Sequence, residues 1–261
     1  MHQPRSPEAV LKSLAITKPE EIDLEAIAFC HGAKVKYRHL DGCEAYLLAD
    51  ARLGRAIISI DDRTHALRQR FSLAHEIGHW ERHRGHLLMC SKQDIGGSGR
   101  RAKSSSLQEK SANEFAAELL MPSFMLKPVL RDFQKFNMRM VREVAKIFGV
   151  SKTAMAYRLV EIDHEPCILA AFSKSGYEWH ISSKSIDRRW WPRRTLDPQS
   201  NAYSILFDGA PDDVTMSNLD ADTWFDVPLA DQIEIGEQSF RVGDDLVMSL
   251  LVARSGRMLA P

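Results

Sequence analysis

The spacing of apolar residues changes several times along the chain, and each change marks an element. Residues 7–30 place Leu11, Leu14, Leu24 and Ile27 at helical spacing, which predicts an N-terminal helix. AKVKYRHL and EAYLLAD read as short strands around the Asp41-Gly42 turn, and GRAIISIDD (54–62) as a firmer strand through Ile57, Ile58 and Ile60. A long helix is expected from about 64 to 84. A second covers 107–120 and stops where Met121-Pro122 breaks it. Between them DIGGSGRRAKSSS (94–106) has the composition of a mobile loop. A third helical region, 138–162, is interrupted at Gly149.

From Pro166 onward short apolar or alternating runs replace the helical period: CILAAF, YEWHIS, AYSILF, IEIGEQSFRV and DLVMSLLVA, separated by Pro, Gly and Asp. The reading is an α+β chain in three parts. Residues 1–130 form a helical domain with a small sheet, 131–163 a helix-turn-helix-like hairpin, and 164–261 a strand-rich C-terminal domain.

Composition narrows the class. The chain has 261 residues, 44% hydrophobic and 27% charged, an ordinary globular mixture. No run approaches the roughly 18 apolar residues of a membrane span, and the N-terminus has no signal-peptide pattern, so a cytoplasmic protein without a membrane partner is expected. Cys30, Cys43, Cys90 and Cys167 are scattered, which excludes a CxxC zinc site and argues for incidental thiols. Net charge is zero, yet residues 1–160 hold 26 Lys and Arg against 18 Asp and Glu, and residues 161–261 hold 9 against 17. The halves therefore differ by sign, which fits mutual attraction or a first half that meets an acidic partner or DNA.

The chemistry sits in FSLAHEIGHWERH (71–83). His75 and His79, four apart on a helix, share one face and can grip one Zn2+ (Mn2+ and Fe2+ are alternatives), with Glu76 beside them as general base. A third ligand is needed. His83 is about 12 Å along the axis from His75, too far for one ion, and His86 is misplaced by one residue, so both are expected to face solvent. In the second helix the face at 109, 112, 113, 116 and 120 reads Glu, Ala, Asn, Ala, Leu, small enough for close approach. Glu114 and Glu118 share the other face with Lys110. Glu109 is therefore the preferred third ligand, and Asn113, one turn on, can hold the far side of a histidine ring.

RFSLAHEIGHW (70–80) and EKSANEFAAELLMP (109–122) together resemble the ImmA/IrrE family of bacterial metallopeptidases, over the chain to about residue 162. The resemblance implies a zincin-like peptidase fold for residues 1–130, with His75, His79 and Glu109 as zinc ligands and Glu76 as catalytic base. It also implies a partner: an XRE-type helix-turn-helix repressor, inactivated by a single cut that switches on a stress-response or mobile-element programme. Some members carry a C-terminal GAF-like sensing domain.

Other features have plainer readings beside the sharp ones. MRMVREVAKIFGVSKTAMAYRLVEI (138–162) has the small residue, turn and N-cap (Ser151) of a helix-turn-helix. Lys152, Thr153 and Arg158 could then face DNA or a partner, although a packing hairpin that never touches DNA is favoured. Residues 187–194, Asp-Arg-Arg-Trp-Trp-Pro-Arg-Arg, suit a phosphate patch, but anchoring of a loop by its tryptophans is favoured. The strand around Ala56–Ile60 could pair with an extended substrate along its edge. Tyr46 and His83 are the weakest of candidates for stabilising an oxyanion. Beside the repressor-cleaving peptidase stand a non-cleaving anti-repressor or antitoxin-like protein and a DNA-binding regulator with a structural metal.

Overall fold

The computed structural model describes residues 4–50, 52–83 and 107–261, with the backbone alone of 88–90. The predicted loop 94–106 and His86 lie outside the described residues. Two compact units emerge: residues 1–132 with 144–151, and residues 133–143 with 152–261. Among the described residues no helix is long and apolar enough to cross a membrane.

The first unit opens with two helices where the period alone reads as one. α1 (Pro7–Ser13) starts on a Ser6 cap with Pro7 in the first turn, and α2 (Leu24–Cys30) starts on Asp23, whose carboxylate accepts from Ala26 N–H at 3.0 Å. Pro19 lies between them, in a short 3-10 turn, and a proline cannot continue the preceding helix. A four-stranded sheet follows, of β1 (Ala33–Arg38), β2 (Ala45–Asp50), β3 (Arg55–Asp61) and β4 (Leu88–Cys90), in spatial order β1-β3-β2-β4.

β1 and β2 do not pair around the Asp41-Gly42 turn. β3 lies between them, parallel to β1 and antiparallel to β2. Central placement also corrects the expected substrate edge, because β3 is paired on both sides. Leu47, Ile58 and Ile60 are fully buried, and α3 (Ala66–Arg82) packs on β2 and β3. α4 (Leu107–Leu120) packs on α3, and α5 (Ser123–Leu130) begins directly after Pro122.

α6 (Met138–Phe148) and α7 (Lys152–Glu161) meet at Gly149, whose φ of +61° is left-handed backbone that a side chain would strain. In the second unit, β5 (Cys167–Ser173), β6 (Gly176–Ser182), β7 (Ser217–Asp220), β8 (Glu234–Val242) and β9 (Leu246–Ala253) form an antiparallel sheet in order β6-β5-β9-β8-β7. α8 (Asn201–Phe207) packs on β8 and β9.

AYSILF is thus helical, not a strand. Ser200 caps it by accepting from Tyr203 N–H at 3.2 Å, and Ala202, Ile205 and Leu206 face inward at helical spacing. Trp190, Trp224 and Phe225 fill the core over this sheet with Phe172 and Ile168. Trp190 is buried and Trp191 half-exposed, so one tryptophan of the basic run anchors its loop.

Candidate metal centre

α3 carries the site because its buried stripe is nearly continuous from Ser72 to Glu81. Leu73, Ile77 and Trp80 are each almost fully removed from water, which stabilises by roughly 1.5–3 kcal/mol apiece and fixes the helix's rotation. Trp80 Nε1 donates to the His31 carbonyl at 2.7 Å, and the buried pair His31–Glu81 stands 2.7 Å apart, so the end of α3 is held from the α2 side. From the other side α4 comes close. A methyl group at Gly78 would sit 3.1 Å from Phe115 Cβ and 3.2 Å from the Ala112 carbonyl oxygen. The face expected to be small, with Ala112 and Ala116 buried, is the contact. Arg82 Nη1 reaches the Ser111 carbonyl at 3.0 Å and its hydroxyl at 2.8 Å.

Within this contact His75, His79 and Glu109 converge. The two Nε2 atoms are 3.0 Å apart, and Glu109 Oε2 is 3.2 Å from His75 Nε2 while Oε1 is 3.4 Å from His79 Nε2. Two ligands bound tetrahedrally at about 2.0–2.1 Å to one ion stand about 3.3–3.4 Å apart. The observed triangle is that size, so the donor set fits one small divalent cation. Chemistry agrees with geometry: two imidazole nitrogens and a carboxylate are a borderline-soft, anionic set suited to zinc.

Protonation is set to keep those donors open. Burial pushes the His75 imidazole below its usual value, towards the neutral ring that can ligate. For Glu109, burial acts upward, but the adjoining His75 and His79 rings outweigh it and hold the carboxyl at about 2, in the ionised form that can ligate. Asn113 Oδ1 lies 2.9 Å from His75 Nδ1, so the ring's Nδ1–H points at the amide and its Nε2 lone pair faces the triangle. His75, Glu76 and His79 are fully buried, and Glu109 is nearly so.

His83 does not face solvent as the helical spacing suggested. Its Nδ1 lies 3.1 Å from His79 Nδ1, a contact made where α3 ends and His83 leaves helical geometry. The i, i+4 relation to His79 is the sequence signal for this contact. Glu114 is exposed, and Glu118 accepts from Ser123 N–H at 3.2 Å at the start of α5. Tyr46 is half-buried under the Arg38 guanidinium, 5.2 Å from its ring centroid.

The three side chains expected to face a DNA groove are not presented together. Arg158 is buried and paired with Glu161 at 2.6 Å, a correction that follows from the i, i+3 neighbour in its own helix. Lys152 Nζ stands 3.7 Å from Asp212 and 4.6 Å from the Phe240 ring centroid. Thr153 is half-buried.

A solved structure titled Mycobacterium tuberculosis transcriptional regulator is similar to this chain with a TM-score of 0.60 at 12% identity, covering 95% of this chain and 86% of that one, a likeness of fold. No curated protein matches the chain. The Peptidase_M78 family, described as the IrrE N-terminal-like domain, matches residues 28–160, a span that runs from the end of α2 through α3 and α4 to α7 and holds both segments of the site. The chain belongs to the IrrE N-terminal-like (Peptidase_M78) family.

Proposed function

We propose that this protein is a metal-dependent endopeptidase that inactivates an XRE-type helix-turn-helix repressor by a single cut, in the cytoplasm, and so induces a stress-response or mobile-element programme. The observation that carries this reading is the triangle of His75, His79 and Glu109 with Glu76 next to it in the same helix.

His75 and His79 would hold the cation through Nε2 and Glu109 through its carboxylate, with Zn2+ the first choice and Mn2+ or Fe2+ alternatives. When bound, such an ion supplies Lewis-acid polarisation of a carbonyl and brings the pKa of water from 15.7 to about 7. Glu76 takes the proton of the attacking water and passes it to the leaving amine nitrogen. Asn113 keeps the His75 ring in one tautomer and orientation, and His83 does the same for the His79 ring. Buried Leu73, Ala74 and Ile77 keep bulk water away, so the charges that develop are weakly screened.

The test is co-expression with any repressor encoded beside this protein, followed for one cut in wild type and in Glu76→Gln. Cutting by wild type alone supports the reading, and equal cutting by both removes Glu76 from its role. A second reading, regulation by binding without cleavage, draws on the similar structure that is titled a transcriptional regulator. It predicts full biological effect from Glu76→Gln.

A further inference from the structure

The sheet of the first unit has a second face that the metal centre does not use. Lys34, Ile57 and Leu48 lie side by side across β1, β3 and β2, so they point the same way. Phe29 of α2, 77% exposed, and Leu48, 47% exposed, wall a cleft of about 1110 Å³ with Ile57 at its base. Leu53, in the turn after β2, adds a further exposed apolar group at 68%. Large apolar side chains grouped in a concavity are what a docking site presents.

Charge says what would dock. Lys34, Arg52 and Arg55 line the cleft, and none has a carboxylate within ion-pair distance among the described residues. The one acid there, Asp50, accepts from the Arg52 and Leu53 N–H groups at 3.0 and 3.1 Å and so closes the β2–β3 turn. Three cations around an apolar floor match a segment in which Leu- or Phe-like anchors alternate with carboxylates.

The chain's own candidates fit poorly. Residues 91–106 carry Lys92, Arg100, Arg101 and Lys103 against Asp94, the wrong sign. In the acidic stretch of the second unit, Asp212 already accepts from Arg241 N–H at 2.8 Å, and Asp213 accepts from Ser239 N–H at 2.6 Å. The concave, aliphatic floor also suits a peptide better than stacked bases.

We infer that this cleft docks an acidic, apolar-anchored peptide segment of a partner protein. The inference concerns binding and does not depend on hydrolysis. The cleft nonetheless adjoins the site: Gly32 and Ala33 in its wall follow His31, which holds Trp80 and Glu81 of α3.

The test uses the full chain and a fluorescein-labelled peptide of Leu-Glu-Glu repeats, read by anisotropy, with a Leu-Lys-Lys peptide, phosphatidylserine vesicles and single-stranded DNA as the other probes. The acidic peptide should bind and the basic one should not. Joint Lys34→Glu and Arg55→Glu should weaken binding at least about tenfold, and Leu48→Ser about threefold or more. All three positions are on the surface, so unchanged thermal unfolding certifies the fold. Failure of the acidic peptide to bind, or binding within about twofold in the double variant, overturns the inference. So does preference for vesicles or DNA, or a dimer seen in sedimentation that Lys34→Glu dissolves, which would assign the cleft to a second copy.

Discussion

Glu237 in the second unit and Glu109 in the first are both carboxylates taken largely out of water, yet their neighbours differ in kind. Around Glu237 every near group is a neutral donor: Ser239 Oγ at 2.7 Å, Ala202 N–H at 2.8 Å and Trp224 Nε1–H at 3.0 Å. The carboxylate ties the start of α8 to β8 and the Trp224 indole, and burial pushes its pKa up. Around Glu109 stand two imidazole Nε2 atoms that face each other at 3.0 Å. Two ring nitrogens and a carboxylate so placed are short of positive charge, and a cation completes them. A buried acid met by donors finishes a fold; one met by lone pairs makes a binding site.

The largest effect expected from breaking this contrast is catalytic. Glu76→Gln should lower the rate of repressor cutting by about 10²–10⁴-fold while zinc still binds, measured by gel densitometry beside metal analysis. Glu237→Ala should do the reverse. It leaves the Ala202 N–H and the Trp224 Nε1–H without their acceptor in a closed core, while the Ser239 hydroxyl keeps Ser249 Oγ at 2.7 Å, and costs about 2–4 kcal/mol, visible as a lower thermal midpoint with zinc affinity unchanged.

Asn113→Ala should weaken zinc binding about 10–100-fold by freeing the His75 ring, measured calorimetrically, with little change in unfolding. The smallest effect is a pH dependence in the second unit. Burial, with Arg194 nearby, holds the His180 imidazole down from 6.5 to about 4. The folded state therefore resists a proton that the unfolded chain accepts, and this contribution to stability is complete above pH 6.5 and lost as pH falls towards about 4. Glu237, with its raised pKa, works in the opposite sense, so the comparison is wild type against His180→Phe, whose acid slope should be shallower.

What was legible in the sequence followed from how local each signal is. His75 and His79 lie one turn apart, and Glu109 was separable from Glu114 and Glu118 because only its face is small. The α+β class and the strand-rich second half were likewise readable from the change of period at Pro166. Insertion of β3 between β1 and β2 was not, since strand order is a long-range choice and a turn between two strands looks the same whether or not they pair. AYSILF is ambiguous because a short apolar run satisfies either period, and the Ser200 cap decides for the helix. The charge of Arg158 points to solvent, while Glu161 three residues on allows it to be buried.

The most direct test of the account is zinc titration of the full chain, followed by calorimetry, in wild type and in Glu109→Ala. The account predicts one ion per wild-type chain and an affinity lowered at least about 100-fold when the carboxylate is removed. No saturable binding by wild type, or equal affinity in the two proteins, would contradict it.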